Sequence, residues 1–327
     1  MQNNEHSDIS QSTKKDKRET VSEFSTGLLA VDPSGDGQTL ARRHVSEFLA
    51  GKNSAIKKLE TVSCVFPTDF GWNVDIDLVK TKFIKSLVTN EVHRKMADEG
   101  YGELETHIIL APTVSRIAAA DMIIETAKKS NAGLIVLGTE AKKGQPTGLG
   151  SLAEILVGRS PIPLMIVGQK VLSEHSDKIL MPTDFTPASE IAFRKLLAWA
   201  KIANSSITLY CQVRFSEMSI FRAYVPGLTP SWAEDAWKAA LDNIQKNAAN
   251  WQTIAANLGV KCETIIEDGA VTLTEGILNK SKELNANLIA FGVARHSWQQ
   301  IFFGGDLREV FAEAKMPILI FHSELES

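Results

Sequence analysis

Apolar and polar positions along this chain follow two periods that take turns. Short runs apolar almost throughout include Gly27 to Val31, Ile108 to Pro112, Gly133 to Gly138 and Pro163 to Gly168. Between them lie longer stretches in which apolar residues return every three or four positions, as at Ile76, Val79, Phe83, Leu87 and Val88. Uniformly apolar runs of four to eight residues bounded by turn residues read as buried strands, and the longer periodic stretches read as amphipathic helices. In order, the pattern predicts a strand ending at Asp32, a helix over 39–51, a ragged strand over 56–67 and a helix over 74–98. A third strand over 104–112, a helix over 115–132, and the unit from Asn131 to Gln169 follow. That unit is strand, glycine-bearing loop, helix from Gly150-Ser151, and a closing strand led by Pro163. Strands alternating with helices describe a parallel sheet.

The same order then recurs. Lys178 to Phe185 repeats the first strand, Ser206 to Val213 the second and Val260 to Gly269 the third. Asn287 to Phe321 repeats the closing unit. Gly138 and Gly292 are 154 residues apart, Pro163 and Pro317 also 154, Gly150 and Gly305 155, and Asp32 and Asp184 152. A nearly constant offset over half the chain marks a duplicated domain. In each copy the crevice at the carboxyl ends of the strands faces a helix N-terminus whose free N–H groups can hold an anion.

A first strand ending in Asp, two further α/β units, then a spaced glycine signature and a proline-led strand resemble the universal stress protein family in its tandem form, over about residues 25 to 322. The resemblance implies two doubly wound α/β domains of the adenine nucleotide α-hydrolase type, each a mostly parallel five-stranded sheet flanked by helices. It also implies a site for ATP or another adenine nucleotide, with or without Mg. In the first copy Val31, Asp32, Gly138, Gly150, Ser151 and Leu152 match the family's pattern, and with Pro112 and Val114 after the third strand they make up the candidate nucleotide-binding set that the resemblance implies. Ala141 stands where the second signature glycine belongs, and the loop from Gly138 to Gly150 is one residue short. In the second copy Pro182, Thr183, Asp184, Val213, Gly292 and Gly305 match, but Arg295 replaces the middle glycine and Asp306 the Ser or Thr at the helix start. A carboxylate there occupies the dipole end and repels phosphate, so the second site reads as degenerate.

Composition adds bounds. The 327 residues suit two domains, and 44% hydrophobic with 23% charged residues suits a globular chain. A net charge of −4 with no basic patch interleaved with aromatics speaks against nucleic acid, and KKDKR at Lys14 to Arg18 reads as part of a solvated tail. No run spans a membrane and no signal-peptide core is seen, so a cytoplasmic location is expected. Cys64, Cys211 and Cys262 lie in strand-like runs without C-x-x-C spacing, so buried free thiols are expected and no metal site. Trp237 and Trp251 fall at helical spacing, as core or contact residues. The domain expectation is a flexible tail over 1–24, domains over 25–170 and 178–323, and a linker over 171–177.

No catalytic residue is expected. There is no G-x-S-x-G elbow and no H-E-x-x-H, and a phosphoacceptor pocket built on Asp32, Asp36 and Asp69 lacks the acid it needs at Ala111-Pro112. Two function classes stand open. One is a stress-response or signalling protein that holds an adenine nucleotide in its first half without fast turnover, at most as a slow ATPase. The other is a scaffold with lost nucleotide sites, working through a protein partner and the apolar insertion over 214–231. The closing strands, apolar on both faces, are expected to pair within the chain as a pseudo-dimer, with any homodimer formed elsewhere.

Overall fold

The computed structural model describes residues 24–31, 55–66, 78–111, 115–138, 151–167, 177–213, 231–268, 271–294 and 306–323. The expected helix over 39–51, most of the tail, most of the linker, both glycine loops and most of the insertion lie outside the described residues, as do Asp32, Pro112, Val114, Gly150, Arg295 and Gly305.

The first half comprises β1 (Thr26–Ala30), β2 (Lys58–Val65), α1 (Leu78–Ala97), β3 (Thr106–Leu110), α2 (Arg116–Lys129), β4 (Leu134–Gly138), α3 (Ser151–Arg159) and β5 (Leu164–Val167). The second comprises β6 (Lys178–Pro182), α4 (Pro187–Ala203), β7 (Ser206–Val213), α5 (Ser231–Asn257), β8 (Cys262–Asp268), α6 (Leu273–Glu283), β9 (Leu288–Ala294), α7 (Asp306–Glu313) and β10 (Ile318–Ser323). All ten strands join one sheet in the order β3-β2-β1-β4-β5-β10-β9-β6-β7-β8. Among the described residues neighbouring strands within each half run parallel, and the single antiparallel step is β5 with β10. The α/β class and the parallel five-stranded halves therefore hold.

Local chemistry sets the helix limits. Ser115 caps α2 through Ala118, and Thr186 caps α4 through Ser189 with Pro187 in the first turn. Thr272 and Glu275 form a reciprocal capping box on α6. Asn131, Asn204 and Asn285 all sit at φ 51° between a helix and the strand that follows. Asparagine tolerates this left-handed conformation better than most residues, because its short amide can bond locally. Asn131 and Asn285 are 154 residues apart, so the duplication extends to a turn residue.

Two apolar layers cover the two sheet faces. One packs Ile84, Val88 and Val92 of α1, Phe193 and Leu196 of α4 and Trp251 of α5; the other packs Ile123 of α2, Leu156 of α3, Ile277 of α6 and Val310 of α7. Each layer runs without interruption from one half to the other, because β5 and β10 lie in the middle of the sheet rather than at its edges. Met165 faces Leu319 there, and both are fully buried. Pairing removes two open edges at once. Phe24, read from sequence as the end of a flexible tail, is fully buried against Trp199, with ring centroids 5.5 Å apart, and near Phe321 at 6.3 Å. The polar average of the tail conceals this one aromatic anchor. His322 of β10, also buried, bonds through Nε2 to the carbonyl of Val157 in α3, a second tie between the halves. Trp251 is buried and Trp237 partly so, as expected of both. Among the described residues no helix is long and apolar enough to cross a membrane.

Candidate functional site

In each half the strand order reverses between two neighbours, β1 and β4 or β6 and β9, and in the second half α4 and α7, which follow β6 and β9, pack on opposite faces of the sheet. This leaves a crevice beyond the carboxyl ends of the strands, where open α/β sheets bind ligands. Several residues singled out from sequence meet there. Val31 follows β1 and Gly138 ends β4, and since Leu29 pairs with Val136, the register carries Val31 to Gly138. Val31 donates its N–H to Val62 at 2.9 Å and accepts from the Ser63 hydroxyl at 2.7 Å, so the end of β1 is held by β2. α3 opens at Ser151, with Leu152 half-buried behind it. In the second half Pro182 ends β6, Thr183 and Asp184 follow it, Val213 ends β7 and Gly292 lies at the corresponding level of β9.

The β6 exit shows how such a crevice is built. Thr183 donates its N–H to Tyr210 at 2.9 Å, and its side-chain oxygen accepts from the N–H of Phe185 at 3.1 Å. Phe185 has φ 56°, a conformation that costs a bulky residue about 1–3 kcal/mol. Packing holds it: the ring is buried and meets Trp251 edge-on at 5.0 Å. Asp184 is thereby turned toward the start of α4. Its Oδ1 accepts from the Thr186 N–H at 3.1 Å, the Thr186 hydroxyl at 2.8 Å and the Ser189 hydroxyl at 2.5 Å. Loss of water around the carboxyl pushes its pKa up; the bonds from Ser189 and Thr186 outweigh this and hold it below the ordinary aspartate value. Because all three bonds land on Oδ1, Oδ2 accepts none among the described residues. A fixed carboxylate with one open oxygen can receive an amino or hydroxyl donor. The sequence reading named Asp184 without Thr186 and Ser189, although Thr-Pro followed by Ser is a readable helix start.

Gly292 has a packing role beside its place in the glycine signature. A Cβ at this position would lie 2.6 Å from the Ala192 Cβ of α4. Real Cβ atoms do not approach so closely, so glycine here admits the helix onto the sheet, a packing role that asks nothing of a ligand. α7 begins at Asp306, whereas its counterpart α3 begins at Ser151, so the helix end beside the second crevice opens with an acid and that beside the first with a neutral hydroxyl residue.

A polar cluster at the opposite end of the strands was not read from sequence. Glu60 of β2 is buried and bonds Lys58 Nζ at 2.5 Å and His107 Nε2 at 2.7 Å; Lys58 also reaches Glu105 at 2.9 Å. Burial alone would raise the Glu60 carboxyl; hydrogen bonds from Lys58, His107 and Ser130 outweigh it and lower the pKa. Ligand atoms of Glu60, Glu105 and His107 lie close enough together for a metal, within 4.8 Å. The Lys58 ammonium between the two carboxylates already supplies the cation they need, so the cluster reads as a salt-bridged tie between β2 and β3. Residue spacing held no signal for it, since Glu60 and His107 meet only through strand pairing.

Comparison with known proteins agrees with the fold. The family described as Universal stress protein family matches residues 24–168 and again 175–322. No curated protein matches the chain. Among solved structures, a universal stress protein from Archaeoglobus fulgidus is 16% identical, with a TM-score of 0.62, covering 94% of this chain and all of that one. A functionally unknown protein from Pseudomonas aeruginosa is 15% identical, with a TM-score of 0.56, covering 93% of this chain and 94% of that one. Likeness at this identity speaks for the shared fold alone. With the family matched in both halves and the same strand order built twice, the chain belongs to the universal stress protein family as a tandem of two of its units.

Proposed function

We propose that this protein is a stress-response or signalling component that holds an adenine nucleotide in the crevice of its first half and turns it over slowly or not at all. The observation that carries the reading is the contrast between two equivalent helix starts, Ser151 on α3 and Asp306 on α7. A phosphate gains from the free N–H groups of the first and meets a negative charge at the second. Val31 and Gly138 stand at the two strand ends flanking the first crevice, and Asp32, Gly150 and Leu152 complete the set by their match to the family's pattern. ATP is the ligand tested first, with and without Mg. The second crevice, with Pro182, Thr183, Asp184, Val213, Gly292, Arg295 and Gly305, is a remnant: Asp184 keeps an oxygen that accepts no bond among the described residues, but Asp306 opposes a phosphate.

The purified protein is denatured and any released nucleotide identified, and ATP is then titrated calorimetrically into the full chain and into its Ser151→Asp variant. Binding to the wild type that the variant loses supports the reading. Equal affinity in both places the ligand elsewhere, and absence of binding favours the scaffold reading.

A further inference from the structure

The outer edge of the sheet at β3 carries a groove that neither crevice uses. It encloses about 400 Å³ and is lined by Thr106 to Ile109 of β3, by Lys85 and Thr89 of α1 and by Thr126, Lys129 and Ser130 beside the end of α2. α1 and α2 lie on opposite faces of the sheet, so residues from both can border one groove only across the outer edge of β3, which no strand among the described residues covers. The ladder to β2 fixes which backbone groups are spent. The N–H of Thr61 bonds the Glu105 carbonyl at 2.8 Å and the N–H of Ala111 bonds the Val65 carbonyl at 3.0 Å. With Thr61 registered on Thr106 and Ser63 on Ile108, His107 and Ile109 face β2, and the N–H and C=O groups of Thr106 and Ile108 face the groove.

The walls supply charge. Among the described residues neither Lys85 nor Lys129 has an ion pair, whereas neighbouring cations do: Lys58 is held by Glu60 and Glu105, and Lys128 by Glu125 at 3.0 Å. Lysines that guard an edge against aggregation normally stand on the edge strand itself. Here β3 is Thr-His-Ile-Ile-Leu, and the two lysines stand on the two helices, one on each side of the edge backbone.

We propose that this groove is a docking site for an extended acidic segment of a partner protein, which adds to β3 as an eleventh strand with its carboxylates toward Lys85 and Lys129. Main-chain bonds to Thr106 and Ile108 give affinity, and the two flanking cations select acidic over basic sequences. A second copy of this chain is disfavoured, because pairing two such edges brings four lysines together.

The probe is a fluorescein-labelled peptide of alternating glutamate and valine, followed by anisotropy on the full chain. Binding is expected, with at least about a tenfold loss in Lys85→Glu/Lys129→Glu, a charge reversal at surface positions. Ile108→Pro deletes one outward N–H and leaves the β2 ladder intact, as proline on an edge strand can, and should cost a similar factor. A peptide methylated on alternate backbone nitrogens should fail to compete, as should one of alternating lysine and valine. No binding at millimolar protein overturns the proposal. So does equal competition by the methylated peptide or displacement by millimolar inorganic phosphate, either of which shows simple charge capture. A dimer seen by light scattering that Ile108→Pro dissociates also overturns it, by giving the edge to a second copy. Amide spectra of each variant confirm folding, and the lysine pair decides the matter if Ile108→Pro is misfolded.

Discussion

Gly292→Ala separates a packing glycine from a phosphate-binding one. The added methyl would stand 2.6 Å from the Ala192 Cβ, while the Ser189 Cα lies at 3.7 Å, so α4 must move away from β9 or the strand must bend. Ala192 is fully buried, with Phe193 and Leu196 beside it in the same layer, so the shift has little slack. Overpacking of a tight core costs about 1–3 kcal/mol. Ala192→Gly removes the opposing methyl; alone it costs about 1 kcal/mol of helix propensity and about 0.8 kcal/mol for the buried methyl. If the two sites were independent, the double variant would lose about 3–5 kcal/mol, the sum of those costs. If the clash is the reason for the glycine, the double variant loses about 2 kcal/mol, no more than Ala192→Gly alone, and the cycle shows about 1–3 kcal/mol of favourable coupling. Urea unfolding followed by tryptophan fluorescence reads this directly, since Trp199 and Trp251 are both buried in the second half. Nucleotide affinity is measured on the same proteins and should not change. A Gly292→Ala protein of unchanged stability that has lost nucleotide binding would refute the packing argument and make Gly292 a ligand contact.

Glu60→Gln should lower stability by about 1–3 kcal/mol at neutral pH, as expected for charged hydrogen bonds lost from a buried group. Because the folded pKa of Glu60 lies below its ordinary value of 4.5, its contribution is full above that value and disappears as pH falls through the folded one; wild type and variant should converge in acid melts, and a constant gap would refute this. Leu319→Lys, at a fully buried position paired with Met165, should cost about 3 kcal/mol or more and enlarge the particle in small-angle scattering before light scattering shows any change in mass. Burial pushes the Cys211 thiol up to about 11 and that of Cys262 up to about 12, so Ellman's reagent at pH 8 should label neither quickly until urea is added; prompt labelling would show an open second half. Asp306→Ser with Arg295→Gly should raise phosphate affinity in the second crevice, and calorimetry showing no gain would mean that other residues close it.

The chain's own periodicity determined most of the architecture. Uniform apolar runs, caps such as Thr186-Pro187, and the 154-residue offset are local or repetitive features, and burial on both faces leaves its mark on every strand residue in turn. The pairing of β5 with β10 could also be anticipated, because two runs apolar on both faces need cover and each supplies it to the other. The offset carries further than the glycines, down to Asn131 and Asn285. Contacts between residues far apart in sequence were decided by tertiary structure alone. Glu60 meets His107 through a strand register, Phe24 reaches Trp199 and Phe321 across the junction of the halves, and Lys85 and Lys129 border one groove from opposite sheet faces. The meaning of Gly292 belongs with these. Sequence spacing gives it only a place in a glycine signature; that Ala192, from another element 100 residues earlier, approaches it so closely is visible only in the structure. Local pattern records how much of each residue is buried, whereas which neighbour buries it depends on how the elements meet in space.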